Sequence, residues 1–375
     1  MIYLDYAANT SVDKEVLDNY IKVTNKYIAN PNSSHKLGIM AKNEIDKSSS
    51  FIASYFKCNK ENIIYTSGAS EANNLVIKGI CEYKKNLGKH IIISVLEHSS
   101  IVAPCSYLAN LGFEVTILPI TSNGMVDLRE LKKELRNDTI LVSVSTVDSE
   151  LGTIQPIEEI GCILKKYPNC TFHTDATQAI GKIEVDYSKV DFITFAPHKF
   201  YGLNGVGVLV NRNNQKLIPL IHGGKSTTIY RSGTPALANI TTTSLALKFA
   251  TSNLNTRIKY ISTLKQHLIN SLKDKKYIHL NSVTNSIPNT LNLSLININN
   301  QEVLEKLEEK EIYLSATSAC SLKNSISKSV FAITNSKALA SNSIRISLSH
   351  LTTKEEIDKF ILIFTKICEE LYENN

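Results

Sequence analysis

The chain has 375 residues, 43% of them hydrophobic, with modest glycine and proline. That is enough to bury two cores and excludes a disordered or fibrous chain. Its net charge of +6, from 41 basic and 35 acidic residues, is spread too thinly to signal direct nucleic-acid binding. No uncharged stretch has the roughly 18 apolar residues that a spanning helix requires, so no membrane partner is expected.

In chain order, short apolar runs at 62–66, 90–94, 114–118, 139–146, 171–174, 191–195 and 206–210 are predicted strands. Helical spacing of apolar residues fills several gaps between them, at 70–83, 98–111, 127–135 and 157–166. Strands alternating with helices predict a parallel sheet covered on both faces. Beyond residue 253 the pattern changes to a helix at 255–273, a strand at 290–296, a helix at 300–310, a strand at 343–348 and a final helix at 354–372. The expected fold class is α/β, a large domain with a mostly parallel sheet flanked by helices plus a smaller α+β domain. The large domain is placed at 16–253, and the small one at 1–15 together with 254–375. The Ser/Asn-rich stretch 321–343 is expected to be a mobile loop.

Seven cysteines at irregular spacing, with no C-x-x-C, suggest neither a disulfide framework nor a zinc site. No secretory signal opens the chain, and a reducing cytoplasm is the expected location.

In open parallel sheets, ligands gather where strands end, so the loops after strands carry the candidate chemistry. Thr66-Ser67-Gly68-Ala69-Ser70-Glu71 leaves a strand, turns at glycine and opens a helix. Its free N–H groups suit a phosphate, and ordinary capping by Ser67 or Ser70 is the alternative. Asp175 ends a strand where an apolar residue is usual, so it caps a helix or holds a cation such as a protonated pyridine nitrogen. Lys199 follows an apolar strand in Phe195-Ala196-Pro197-His198-Lys199, and a buried lysine calls for pairing or a covalent purpose. His98 opens a helix at the same sheet edge, where an imidazole can move protons. Cys320 closes the small-residue run Ser315-Ala316-Thr317-Ser318-Ala319-Cys320, a setting for an accessible nucleophilic thiolate. The other six cysteines fall in helical or strand patterns and are expected to be packing groups.

Taken together, these motifs resemble the NifS/IscS-type cysteine desulfurases, pyridoxal-phosphate enzymes of fold type I in the class V aminotransferase group. The resemblance spans nearly the whole chain. It begins at Tyr3-Leu4-Asp5-Tyr6-Ala7-Ala8-Asn9-Thr10 and continues through Asn30-Pro31-Asn32-Ser33-Ser34-His35, 66–74 and Glu97-His98. It resumes at Glu150-Leu151-Gly152, 173–181, His198-Lys199 and Arg231-Ser232-Gly233-Thr234, and ends at Ser318-Ala319-Cys320 and 343–348.

The resemblance implies pyridoxal 5′-phosphate as cofactor, with Lys199 as the Schiff-base lysine and Asp175 on the pyridine nitrogen. It places Gln178 near the ring hydroxyl and His98 over the ring, where it helps deprotonate the substrate. Ala69, Ser70 and His198 match phosphate contacts, and Thr234 a threonine reaching the phosphate of the partner subunit in a homodimer. Arg345 matches the arginine gripping the substrate carboxylate, and Asn9 is placed with it. Cys320 matches the sulfur-accepting nucleophile, in a setting like that of the long-loop subgroup. The implied reaction takes sulfur from L-cysteine, leaves L-alanine and a persulfide on Cys320, and passes the sulfur to an acceptor protein. That acceptor is a scaffold for iron–sulfur clusters or a tRNA-thiolation enzyme.

Ser149 stands where the family has an asparagine, Ala196 where it has a phosphate-binding serine, followed by Pro197, and Thr317 where it has a glycine. The alternatives are a selenocysteine lyase, another class V pyridoxal-phosphate enzyme, and a degenerate sulfur-carrier homologue. An aminotransferase needs no thiol, so Cys320 argues against that reading.

Overall fold

The computed structural model describes residues 1–316 and 326–373. A seven-stranded sheet dominates, in the order Ile63–Thr66, Gly207–Asn211, Phe192–Phe195, Thr171–Asp175, Thr139–Ser143, His90–Ser94, Glu114–Leu118. Only Gly207–Asn211 runs antiparallel to both neighbours. The remaining pairs are parallel, so six strands point the same way and end along one edge.

Strand side chains alternate between faces, and the burial follows that period. Ile92, Val142, Ile193 and Val208 join one core, and Ile91, Ile93, Leu141, Phe192 and Leu209 join another on the opposite face. The first core is closed by helices Lys14–Lys26, Lys36–Tyr55 and Leu237–Ser252 through Val16, Ile45, Ile52, Ile240 and Leu247. The second is closed by Ala69–Lys84 and Ser99–Ala109 through Leu75, Ile80, Ile101 and Leu108. A sheet wrapped in this way must run as near-continuous apolar strands.

A separate core gathers Ile2 and Leu4 with residues from Ile261 to Leu371. It lies between helices Leu254–Leu272, Asn300–Glu308 and Lys354–Glu373 and an antiparallel sheet ordered Ser343–Ser347, Thr290–Leu295, Ile278–Leu280. Ile2–Tyr3 pairs in parallel with Ile312–Tyr313, which ties the start of the chain into this unit. Among the described residues, no helix is long and apolar enough to cross a membrane.

Two local outcomes differ from the sequence pattern. Leu237–Ser252 is helical despite its run of threonines. The Thr242 and Thr243 hydroxyls turn back onto the carbonyls of Ala238 and Asn239, inside the helix's own ladder. The stretch expected as a mobile loop contains helices Lys328–Thr334 and Lys337–Ser341. Ser327 caps the first of these and donates to Glu150, while the Ser329 hydroxyl donates to Asp148 at 2.8 Å. Local capping and two buried carboxylates thus order what composition alone reads as loop.

Candidate active site

The shared strand edge encloses a cavity of about 330 Å³. Ala69, Ser70, His98, Asp175, Gln178, His198, Lys199 and Arg345 all line it, joined by Ser100, Ser145, Ser149 and Thr177. Thr234 and Asn9 are exposed and do not line it. Cys320 and Thr317 lie outside the described residues.

At the end of Ile63–Thr66 the chain passes extended Gly68 into helix Ala69–Lys84. The unused N–H groups and positive dipole end of that helix meet the cavity at Ala69 and Ser70, as an anion requires. Gly207 makes the close approach of the neighbouring strand possible. A Cβ there would lie 2.3 Å from the Gly68 carbonyl carbon.

Asp175 closes strand Thr171–Asp175 with only 7% of its surface exposed. Its Oδ2 accepts from Asn73 Nδ2 at 2.8 Å and its Oδ1 from the Thr177 N–H at 2.9 Å. Just past the neighbouring strand, Ser145 donates to Glu97 from its N–H at 2.8 Å and from its hydroxyl. Burial pushes the Glu97 carboxyl up to about 8. His98 caps helix Ser99–Ala109, and burial lowers its basicity, so the ring is neutral near pH 7.

Lys199 ends a short turn, Pro197–Lys199, directly after strand Phe192–Phe195. Its Nζ donates to the carbonyl of Ala7 at 2.9 Å and to that of Ala8. Gln178 Nε2 also donates to Ala7, while Lys182 Nζ donates to Gln178 Oε1. Burial, with the charges of Lys199 and Arg345, brings the Lys182 amine down to about 7. Burial, Lys199 and Lys182 together hold His198 down near 4.

Arg345, 1% exposed, reaches in from the smaller unit on strand Ser343–Ser347. Its Nη2 pairs with Asp5 Oδ1 at 2.8 Å and its Nη1 donates to the Ser149 carbonyl at 2.9 Å. The Ser149 contribution is a backbone one, so it does not depend on which side chain stands there. Among the described residues, Arg345 Nε is buried without a partner, as is Thr177 Oγ1 on the same cavity. Orphaned buried donors mark a place where a ligand supplies the missing acceptors.

The donor set fits pyridoxal phosphate: a helix N-terminus for phosphate, a buried carboxylate for the ring nitrogen, an amide beside the ring hydroxyl, and an amine for the aldehyde. Among the described residues, no cluster of His, Cys, Asp or Glu could hold a metal ion.

Sequence reasoning left Asn73, Ser100, Asp5 and Lys182 without a role. Asn73 carries a visible signal, an amide between Ala72, Leu75 and Val76 on a buried helix face. Of the described cysteines, Cys81, Cys105, Cys170 and Cys368 are buried, as packing groups should be, whereas Cys162 is exposed.

Comparison with known proteins agrees with this geometry. The family model "Aminotransferase class-V" matches residues 2–360, so the chain belongs to the class V aminotransferases, pyridoxal-phosphate enzymes. The "Cysteine desulfurase IscS" of Dictyoglomus turgidum is 36% identical, with 99% of this chain and 95% of that protein covered. A solved "NIFS-LIKE PROTEIN" superposes with TM-score 0.91 at 33% identity over 99% of both chains. "SspA in complex with cysteine" does so with TM-score 0.83 at 31% identity, over 94% of this chain and all of that one. Within the family, the chain belongs with the cysteine desulfurases of the NifS/IscS type.

Proposed function

We propose that the cavity removes sulfur from L-cysteine, with Lys199, Asp175, Gln178, His98 and Arg345 in the roles their chemistry suits. The observation that carries this reading is their convergence, from four separate chain segments, on one cavity beside a helix N-terminus. A solved relative bound to cysteine supports the choice of substrate.

The Lys199 amine would hold the cofactor covalently, with Asp175 on its ring nitrogen and Ala69, Ser70 and His198 at its phosphate. When bound, pyridoxal phosphate supplies an electron sink for charge leaving the substrate's Cα. Arg345 orients the substrate by its carboxylate, using the buried fork that Asp5 and Ser149 hold in place. His98 is the proton-handling group over the ring. The Cys320 thiolate then attacks the substrate sulfur. An S–S bond forms, the Cβ–S bond breaks, and Cβ takes a proton to become the methyl of alanine.

The persulfide sulfur left on Cys320 passes to an acceptor protein of iron–sulfur cluster assembly or tRNA thiolation. The active unit is a cytoplasmic homodimer. Exposed Thr234 lies three residues beyond Arg231, whose Nε donates to Glu71 at 3.0 Å beside the phosphate turn. That position suits the Thr234 hydroxyl to reach the partner subunit's cofactor phosphate.

The test is spectroscopic and analytical. Protein loaded with pyridoxal phosphate is expected to be yellow, to change its absorption on adding cysteine, and to yield alanine and sulfide together when a reductant is present. Lys199→Ala is expected to lose both colour and turnover. Turnover with colour intact in that variant would remove Lys199 from its role.

A further inference from the structure

Fully buried Asn73, on the helix behind the phosphate turn, bridges two polar groups with one nitrogen. Its Nδ2 lies 2.8 Å from Asp175 Oδ2 and 2.9 Å from Ser100 Oγ. A carboxylate only accepts, so this end of the amide is the NH2, with one hydrogen for each neighbour. Ser100 Oγ therefore receives a hydrogen from Asn73 and sends its own to its remaining neighbour, His98 Nδ1, at 2.8 Å. The Ser100 backbone N–H points at the same ring nitrogen from 3.2 Å. With two donors directed at Nδ1, that nitrogen has no room for a hydrogen of its own.

We propose that Asn73 and Ser100 are positioning residues that fix His98 in the Nε2–H tautomer, so that the imidazole meets the contents of the cavity as a hydrogen-bond donor. Donation runs from Asn73 through Ser100 to His98. Its sense is set by Asp175, the same carboxylate assigned to the cofactor's ring nitrogen. One buried amide thus links the groups expected at the ring nitrogen and over the ring.

A neutral ring in this form cannot take up a proton at Nε2. It can accept one only at Nδ1, where the new hydrogen would displace the bond from the Ser100 N–H. His98 therefore enters the reaction as a donor rather than as the base that draws off the Cα proton. What the donated hydrogen bond meets rests on the pyridoxal-phosphate reading of the cavity, whereas the tautomer is a property of the chain alone.

The test uses protein labelled with ¹⁵N in histidine, with and without pyridoxal phosphate, and assigns the His98 signals by their loss in His98→Gln. The expected spectrum has a pyrrole-like Nε2 and a pyridine-like Nδ1 displaced from its free value by the two donors. Ser100→Ala should move the Nδ1 resonance toward that free value, and Ser100→Thr should restore it. Asn73→Asp supplies an acceptor for the Ser100 hydrogen and should drive the ring toward the Nδ1–H form. Should Asn73→Asp not fold, the two Ser100 variants still decide. A hydrogen on Nδ1 in the wild type, or an Nδ1 resonance indifferent to Ser100→Ala, overturns the proposal. If pyridoxal phosphate leaves the His98 signals unmoved, the cofactor reading fails while the tautomer stands on the wild-type spectrum.

Discussion

Replacing Arg345 by lysine keeps a positive charge but removes the fork, and so separates charge from geometry. Arg345 is 1% exposed, with Nη2 on Asp5, Nη1 on the Ser149 carbonyl and Nε unpartnered among the described residues. A carboxylate docking on such a guanidinium gains two charge-assisted bonds of about 1.5–3 kcal/mol each. At about 1.4 kcal/mol per decade, losing that pair lowers kcat/KM for cysteine by ~10²–10⁴-fold. The variant also disturbs a buried ion pair, for which full removal of one partner costs ~3–5 kcal/mol, so melting must be followed alongside activity. The assay is alanine formation from cysteine and from cysteine methyl ester, which lacks the carboxylate. Wild-type protein is expected to prefer cysteine strongly, and folded Arg345→Lys to lose most of that preference. A folded variant that keeps kcat/KM within threefold and still discriminates against the ester would refute the assignment.

The remaining predictions concern the frame of the site. Burial holds the Glu97 carboxyl up near 8, against 4.5 for an exposed one. Between those values the folded state keeps a proton that the unfolded chain releases, so this group favours folding at low pH and loses that effect as pH rises toward 8. Glu97→Gln lacks the titration. Its stability relative to wild type should rise by ~2–4 kcal/mol between pH 5 and pH 9 in thermal melts, and a flat difference would contradict the buried-acid reading. Gly207→Ala places a methyl 2.3 Å from the Gly68 carbonyl carbon. It should cost about 1–3 kcal/mol in stability and displace the phosphate turn. Cofactor titration should show weaker binding, and unchanged affinity would mean that the turn does not hold the phosphate.

What the sequence made legible follows from where the chemistry sits. Asp175 and Lys199 were readable because one ends an apolar strand and the other follows one by a single turn, where a charge has no packing explanation, and the sheet then brings both to one edge. Arg345 was found only through resemblance. Its strand, Ser343–Ser347, belongs to the other unit, and nothing local says that it faces the cavity. Asn73 bonds to Ser100 and to Asp175, 27 and 102 residues away along the chain, distances that no local pattern spans. Helix Leu237–Ser252 was hidden by threonines whose hydroxyls bond inside their own helix. The helices after Ser327 were hidden by polar composition, because their anchors, Asp148 and Glu150, lie in another part of the chain.

Sulfur removal turns on Cys320 as the acceptor. Intact-protein mass spectrometry, after adding cysteine to loaded enzyme without reductant, tests this directly. The expected result is a gain of one sulfur atom, mapped by peptide analysis to Cys320, with equimolar alanine released and no gain in Cys320→Ala. Sulfur appearing on exposed Cys162 instead, or alanine forming at the wild-type rate in Cys320→Ala, would contradict it.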